Sequence, residues 1–275
     1  MMSQLFTIAR LEWTAAVRLK WLRLMTVAFA LLAVAAAYSA GAANERSGVD
    51  GFARTAMALV PVVLILVPLA SLILGISGQA AEPGGEPFLF SQPISRGTVL
   101  VARWLGECAA LVSAIAGGLA AGGAIVAFQS GADGLPAFAF FIATAAVLAV
   151  IFLSIAAAVS AATDKRAVAL GAGVFAWFFF VLLYDGAALS AASWFSGPRG
   201  GRILFSSIFG NPVDLVRVIA LSVSGTPNVL GAAGDAWVRF LGGTWTAAAA
   251  AVVALGVWAT APLMFAIRLI GARDL

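Results

Sequence analysis

The chain has 275 residues, of which 63% are hydrophobic and only 10% charged. Globular domains carry about 25% charged residues, so a soluble fold of this composition could not cover its own surface, and a polytopic membrane protein is expected. The net charge of +4 comes from Lys and Arg spread over the ends of apolar segments, which is how basic residues set orientation in a bilayer and not a nucleic-acid footprint.

One cysteine, Cys108, and no histidine occur in the whole sequence. An intrachain disulfide is excluded, and most acid–base triads, zinc sites and histidine pH sensors fall with the histidines. Gly75-Ile-Ser77-Gly78 matches the Gly-x-Ser-Gly of rhomboid proteases, but that chemistry needs a histidine base beside the serine. No Gly-x-x-x-x-Gly-Lys-Ser/Thr phosphate loop is present, so ATP binding by this chain is not expected.

Residues 3–20 read as an amphipathic helix, with Leu5, Ile8, Leu11, Ala15 and Leu19 near one face and Arg10, Glu12 and Arg18 off it. Trp13 and Trp21 suit a membrane interface, and a surface-lying elbow helix is the expectation. The run from Leu24 to Ala43 has the length of a span and follows a basic segment too long for a signal peptide. It is expected to be retained as part of a first span over about 22–43.

Five further spans are expected at about 55–78, 104–128, 135–162, 167–189 and 241–267. Asn44 to Arg54 reads as a short polar loop. Pro61 and Pro68 should kink the second span, which a bundle tolerates when neighbours satisfy the freed carbonyls. Residues 79–103 carry Pro83, Pro87 and Pro93, with Glu82, Glu86 and Arg96. Three prolines forbid one continuous helix there, and a broken polar segment cannot lie in lipid.

In the third span, Gly118-Leu-Ala-Ala-Gly122 is a small-xxx-small pattern read as helix packing. The fifth span is dense in aromatics, from Phe175 to Phe180, and ends at Tyr184-Asp185. Residues 190–240 form the longest segment outside the spans. Within it Asn211-Pro-Val-Asp214 has the chemistry of a helix start, with an Asn cap, proline at the first position and an acid in the first turn. Short helices dipping into or lying along the outer leaflet are expected there.

With both termini inside, the inner basic residues are Arg10, Arg18, Lys20, Arg23, Arg96, Arg103, Lys165, Arg166, Arg268 and Arg273. The outer ones are Arg46, Arg54, Arg199, Arg202, Arg217 and Arg239, four of them in the long last loop where the rule is weakest. The bias favours cytoplasmic termini and a cytoplasmic 79–103 segment. The acids divide equally and do not vote. The span middles lack Asp, Glu, Lys and Arg, which argues against an ion-coupled secondary transporter, whose coupling groups sit near mid-bilayer. A mechanical permease driven by a separate ATPase needs no such groups.

The run Phe90-Ser-Gln-Pro-Ile-Ser-Arg96, preceded by Glu82 and Glu86, resembles the coupling region of type-2 ABC exporter permeases. The resemblance extends over most of the chain. It is closest to the permease subunits of the ABC transporters that serve nitrous-oxide reductase maturation. Ile8-Ala-Arg-Leu-Glu12 with Arg18-Leu-Lys-Trp21, Leu66-Val-Pro-Leu-Ala70, Ala172 through Asp185, and Asn211-Pro-Val-Asp-Leu-Val-Arg217 carry it in order. Departures are Gly85-Glu-Pro-Phe88, where an acidic-Gly-Thr is usual, and a shifted basic residue before the first span.

The resemblance implies an all-α type-2 exporter permease in the bacterial inner membrane, not itself an enzyme. Two copies would work with two ATPase subunits that bind ATP and Mg, and no cofactor is expected in this chain. Glu82, Glu86 and Arg96 would meet the ATPase. Asp185, Asn211, Asp214 and Arg217 would form a periplasmic gate or partner contact. A periplasmic repeat protein and a copper chaperone are the further partners implied, besides membrane lipid. The alternative is a general type-2 exporter of a lipid, drug or other small molecule. No metal site is expected, because copper(I) seeks thiolate, thioether and imidazole, and Met1, Met2, Met25, Met57 and Met264 lie on separate elements.

Overall fold

The computed structural model describes residues 2–42, 48–79, 95–195, 198–223 and 237–272. These residues are helical apart from short turns, with no strand among them. Helix α1 is Met2–Arg18, α2 Lys20–Ala42, α3 Gly48–Gln79, α4 Arg96–Ser130 and α5 Leu135–Ala161. Helix α6, Arg166–Phe178, runs through a π-helical segment, Phe179–Leu183, into α7, Tyr184–Ser193. Helix α8 is Pro198–Ser207, α9 Pro212–Val223 and α10 Thr244–Ala272.

Six of these stretches are long and apolar enough to cross a bilayer: α2, α3, α4, α5, the α6–α7 unit and α10. The chain is an all-α polytopic membrane protein. Six crossings return it to the end where it began. We call that the terminal end and the opposite one the far end.

Helix α5 is the centre. It carries no charged residue, and Leu148, Ala149, Ile151, Phe152, Leu153 and Ala156 are fully buried. A helix apolar all round has no wet face, so it takes neighbours on every side. Helices α3, α4, α9 and α10 pack on it. Lipid tails are as apolar as Leu, so close packing must hold these helices together in place of the hydrophobic effect. Small residues provide it. A methyl group on Gly118 would lie 2.6 Å from Phe29 Cβ, and one on Gly122 would lie 2.6 Å from the Ala33 carbonyl oxygen. The Gly118–Gly122 pair is therefore the seat of α2 on α4. Several buried hydroxyls are satisfied within their own helices, as where Ser71 donates to the Val67 carbonyl at 2.7 Å and Ser154 to Val150 at 3.0 Å.

Helix α1 lies against the first turns of α4. A methyl on Gly106 would meet the Ala9 carbonyl at 2.6 Å, and Glu12 pairs with Arg103 at 3.2 Å. At the far end, α8 and α9 meet at a 99° bend. Val213, Val216 and Ala220 of α9 belong to the main core, so α9 dips into the bundle and does not lie along its surface.

Two expected boundaries move. Residues 96–103 are not loop but the start of α4, because the Ser95 hydroxyl accepts from the Thr98 amide and caps the helix soon after Pro93. The expected polar loop ends early as well. Helix α3 begins at Gly48, and Phe52 is buried with its ring 5.7 Å from that of Phe138. The aromatic run divides: Phe175 and Phe178 face outward, while Phe180 packs edge-on against Phe152 and Trp258.

Candidate functional site

The π-helical segment builds the far-end site. Its widened turn closes with the Tyr184 amide on the Phe179 carbonyl, five residues back. One extra residue per turn re-aims everything beyond it, and such insertions often mark working sites in helices. Here it turns Tyr184 and Asp185 toward the bend between α8 and α9. The Tyr184 hydroxyl donates to the Ser207 carbonyl at 2.8 Å. Gly210 sits directly beneath that hydroxyl, leaving no room for a side chain.

Asn211 is the pivot of the bend and is wholly buried. Its Oδ1 accepts from the Val213 amide at 3.0 Å, capping α9. Its Nδ2 donates to the Phe180 carbonyl at 3.0 Å and to Asp214 Oδ2 at 2.9 Å. One turn on, Arg217 Nη1 lies 2.9 Å from Asp185 Oδ2 and 2.9 Å from Asp214 Oδ1. One guanidinium thus serves two carboxyl groups. Asp214 is the dry partner, its side chain 13% exposed, and Asp185 the wet one at 48%. The Trp258 indole donates to the Phe209 carbonyl at 3.0 Å. The bend between α8 and α9 is thereby tied to the π segment, α7 and α10 at once.

Beside Arg217 opens a groove of about 320 Å³ between α3 and the π segment, otherwise lined by Met57, Val60, Pro61, Leu64, Ile65, Val181 and Leu182. The Trp177 indole donates to the Ile65 carbonyl at 2.9 Å. That carbonyl adjoins the one that Pro68 deprives of its helical donor, since proline has no amide hydrogen.

Asp185, Asn211, Asp214 and Arg217, named from the sequence, therefore come together in one cluster. Arg96 lies at the opposite, terminal end, at the start of α4. Glu82 and Glu86 lie outside the described residues. Sequence reasoning missed Tyr184 and Ser207, whose bond spans 23 residues, and Glu107, which is 3% exposed. The Tyr-Asp pair ending an aromatic span was the available signal for Tyr184. Among the described residues no group of three or more His, Cys, Asp or Glu is placed to hold a metal ion.

A bundle of six apolar spans, an N-terminal helix clamped at one end and a polar cluster at the other is the layout of a membrane transport subunit. Residues 6–275 match the model of the ABC-2 family transporter protein family, and the chain belongs to that family. It is similar to the probable ABC transporter permease protein NosY of Pseudomonas aeruginosa, 32% identical over 282 residues and covering 100% of both chains. The protein of the same name from Stutzerimonas stutzeri is 29% identical over 80% of this chain and 82% of its own length. The chain is an ABC-2 permease, the membrane subunit of an ABC transporter.

Proposed function

We propose that this permease supports copper-site assembly of nitrous-oxide reductase, in the bacterial inner membrane with both termini in the cytoplasm. It pairs with a second copy of itself and with two ATPase subunits, which bind ATP and Mg and dock on Glu82, Glu86 and Arg96. At the periplasmic face the Asp185–Asn211–Asp214–Arg217 cluster acts as gate or partner contact. It either releases an exported non-copper species or passes ATPase motion to a periplasmic partner, with a repeat protein and a copper chaperone as associated factors. The single observation that carries the reading is Arg217 held between Asp185 and Asp214. It joins the re-entrant bend to the α6–α7 span, so movement of that span must strain or break it.

A second reading, general export of a lipid, drug or other small molecule, is favoured by the apolar groove beside Arg217. One experiment separates them. A host lacking its own permease of this type receives this chain with its ATPase, and nitrous-oxide reduction is measured. Restored reduction supports the maturation reading. An assembled, ATP-hydrolysing complex without restoration supports the general exporter.

A further inference from the structure

Glu107 is a carboxylate that packing does not require. It sits on α4 near the terminal end, where a buried polar group is costly unless it is partnered. It is 3% exposed. The space it fills is made by α3. A methyl on Gly78 would collide with Glu107 Oε1, and one on Gly75 would lie 3.7 Å from Oε2. Gln79, the last residue of α3, donates its amide to Oε2 at 3.4 Å. Oε1 has no hydrogen-bond partner among the described residues.

One turn earlier on the same face of α4, Arg103 pairs with Glu12 of α1 at 3.2 Å, and both charges act on Glu107. Adjacent turns of α4 thus grip two different elements, the surface helix and the end of α3. Helices α3 and α4 are also the two roots of residues 80–94, so a force applied to that connection enters the bundle at Gln79 and Arg96.

We infer that Glu107 is a positioning residue that locks the two roots of the α3–α4 connection into one rigid body with α1. ATPase motion then moves the three helices together and does not splay them. The inference rests on the proposed reading that the ATPase docks on this connection.

The test is steady-state ATP turnover by the permease–ATPase complex in lipid nanodiscs, with co-purification of the ATPase as control. Glu107→Ala is expected to keep the complex together with an unchanged KM for ATP, while permease-dependent stimulation of kcat falls at least fivefold. Glu107→Gln keeps the shape and an acceptor for Gln79, and should restore at least half of that stimulation. Gly78→Ala expels the carboxylate while favouring the helix, so it reports even if Glu107→Ala fails to insert. It should lower kcat similarly. The Gly78→Ala/Glu107→Ala double variant should be no worse than Glu107→Ala alone, because contacting residues couple. Full stimulation in both single variants, or losses that multiply in the double, overturns the inference alone. A wild-type permease that neither binds nor stimulates the ATPase overturns the docking reading, and this inference with it.

Discussion

Asn211 offers the sharpest perturbation of the far-end cluster. Its side chain makes three hydrogen bonds while buried: the α9 cap, the Phe180 carbonyl and Asp214. Replacing a capping Asn by Ala costs about 1 kcal/mol. Hydrogen bonds between membrane helices average roughly 0.6 kcal/mol each, with a maximum near 1.7. Asn211→Ala should therefore lower stability by about 2–4 kcal/mol. Asn211→Ser keeps a cap oxygen and should recover about 1 kcal/mol of that loss. Asn211→Asp keeps the cap too, but sets a carboxylate where the amide now lies 2.9 Å from Asp214. It should be the most damaging at neutral pH, and its deficit should shrink as the pH falls, because one proton on the carboxyl pair removes the repulsion. Reversible unfolding in mixed micelles, measured at two pH values, checks the order. Asn211→Ala within about 0.5 kcal/mol of wild type, the ordinary range of surface substitutions, would refute the reasoning.

Three further outcomes are expected. Arg96→Glu should insert normally yet lose ATPase docking or uncouple ATP hydrolysis, since a guanidinium suits a planar carboxylate partner; normal co-purification with full coupled turnover would count against it. Gly118→Val and Gly122→Val should each weaken the α2–α4 seat, seen as a lower unfolding midpoint, whereas Gly117→Val, with nothing within 4 Å of an added methyl, should not. Cys108→Ser combined with Met57→Leu and Met264→Leu should leave maturation activity intact, because a bare cation crossing the bundle would need soft ligands. Lost maturation with normal expression and coupling would overturn the reading that no copper passes.

What the sequence disclosed, and what it hid, divides by range of interaction. The spans are legible because lipid demands a fixed apolar length. The start of α9 is legible because an Asn cap, a proline and an acid act within four residues. The Gly118–Gly122 spacing pointed to packing, and α2 fills it. The π segment was not legible, since it depends on Phe180 finding Phe152 and Trp258 across the bundle. The start of α4 was obscured by Pro83, Pro87 and Pro93, which mark a broken segment just before it, although Ser95 caps a helix there. Glu107 carries no local signal that would single it out in the sequence. Its burial follows from Gly78 on α3, 29 residues earlier, which no local pattern connects to it.

The central claim is that ATPase strokes at the terminal end loosen the cluster at the far end. Ser207 is half-buried, its carbonyl held by Tyr184, and its hydroxyl bonds within its own helix turn, to the Leu204 carbonyl. Ser207→Cys in a Cys108→Ser background therefore places one thiol under the latch. Its reaction with a membrane-impermeant maleimide, added to the outer side of vesicles holding the full complex, is the direct measurement. The account predicts faster labelling during ATP turnover than without nucleotide. Equal rates with ATP, without it and in the vanadate-trapped complex would contradict it.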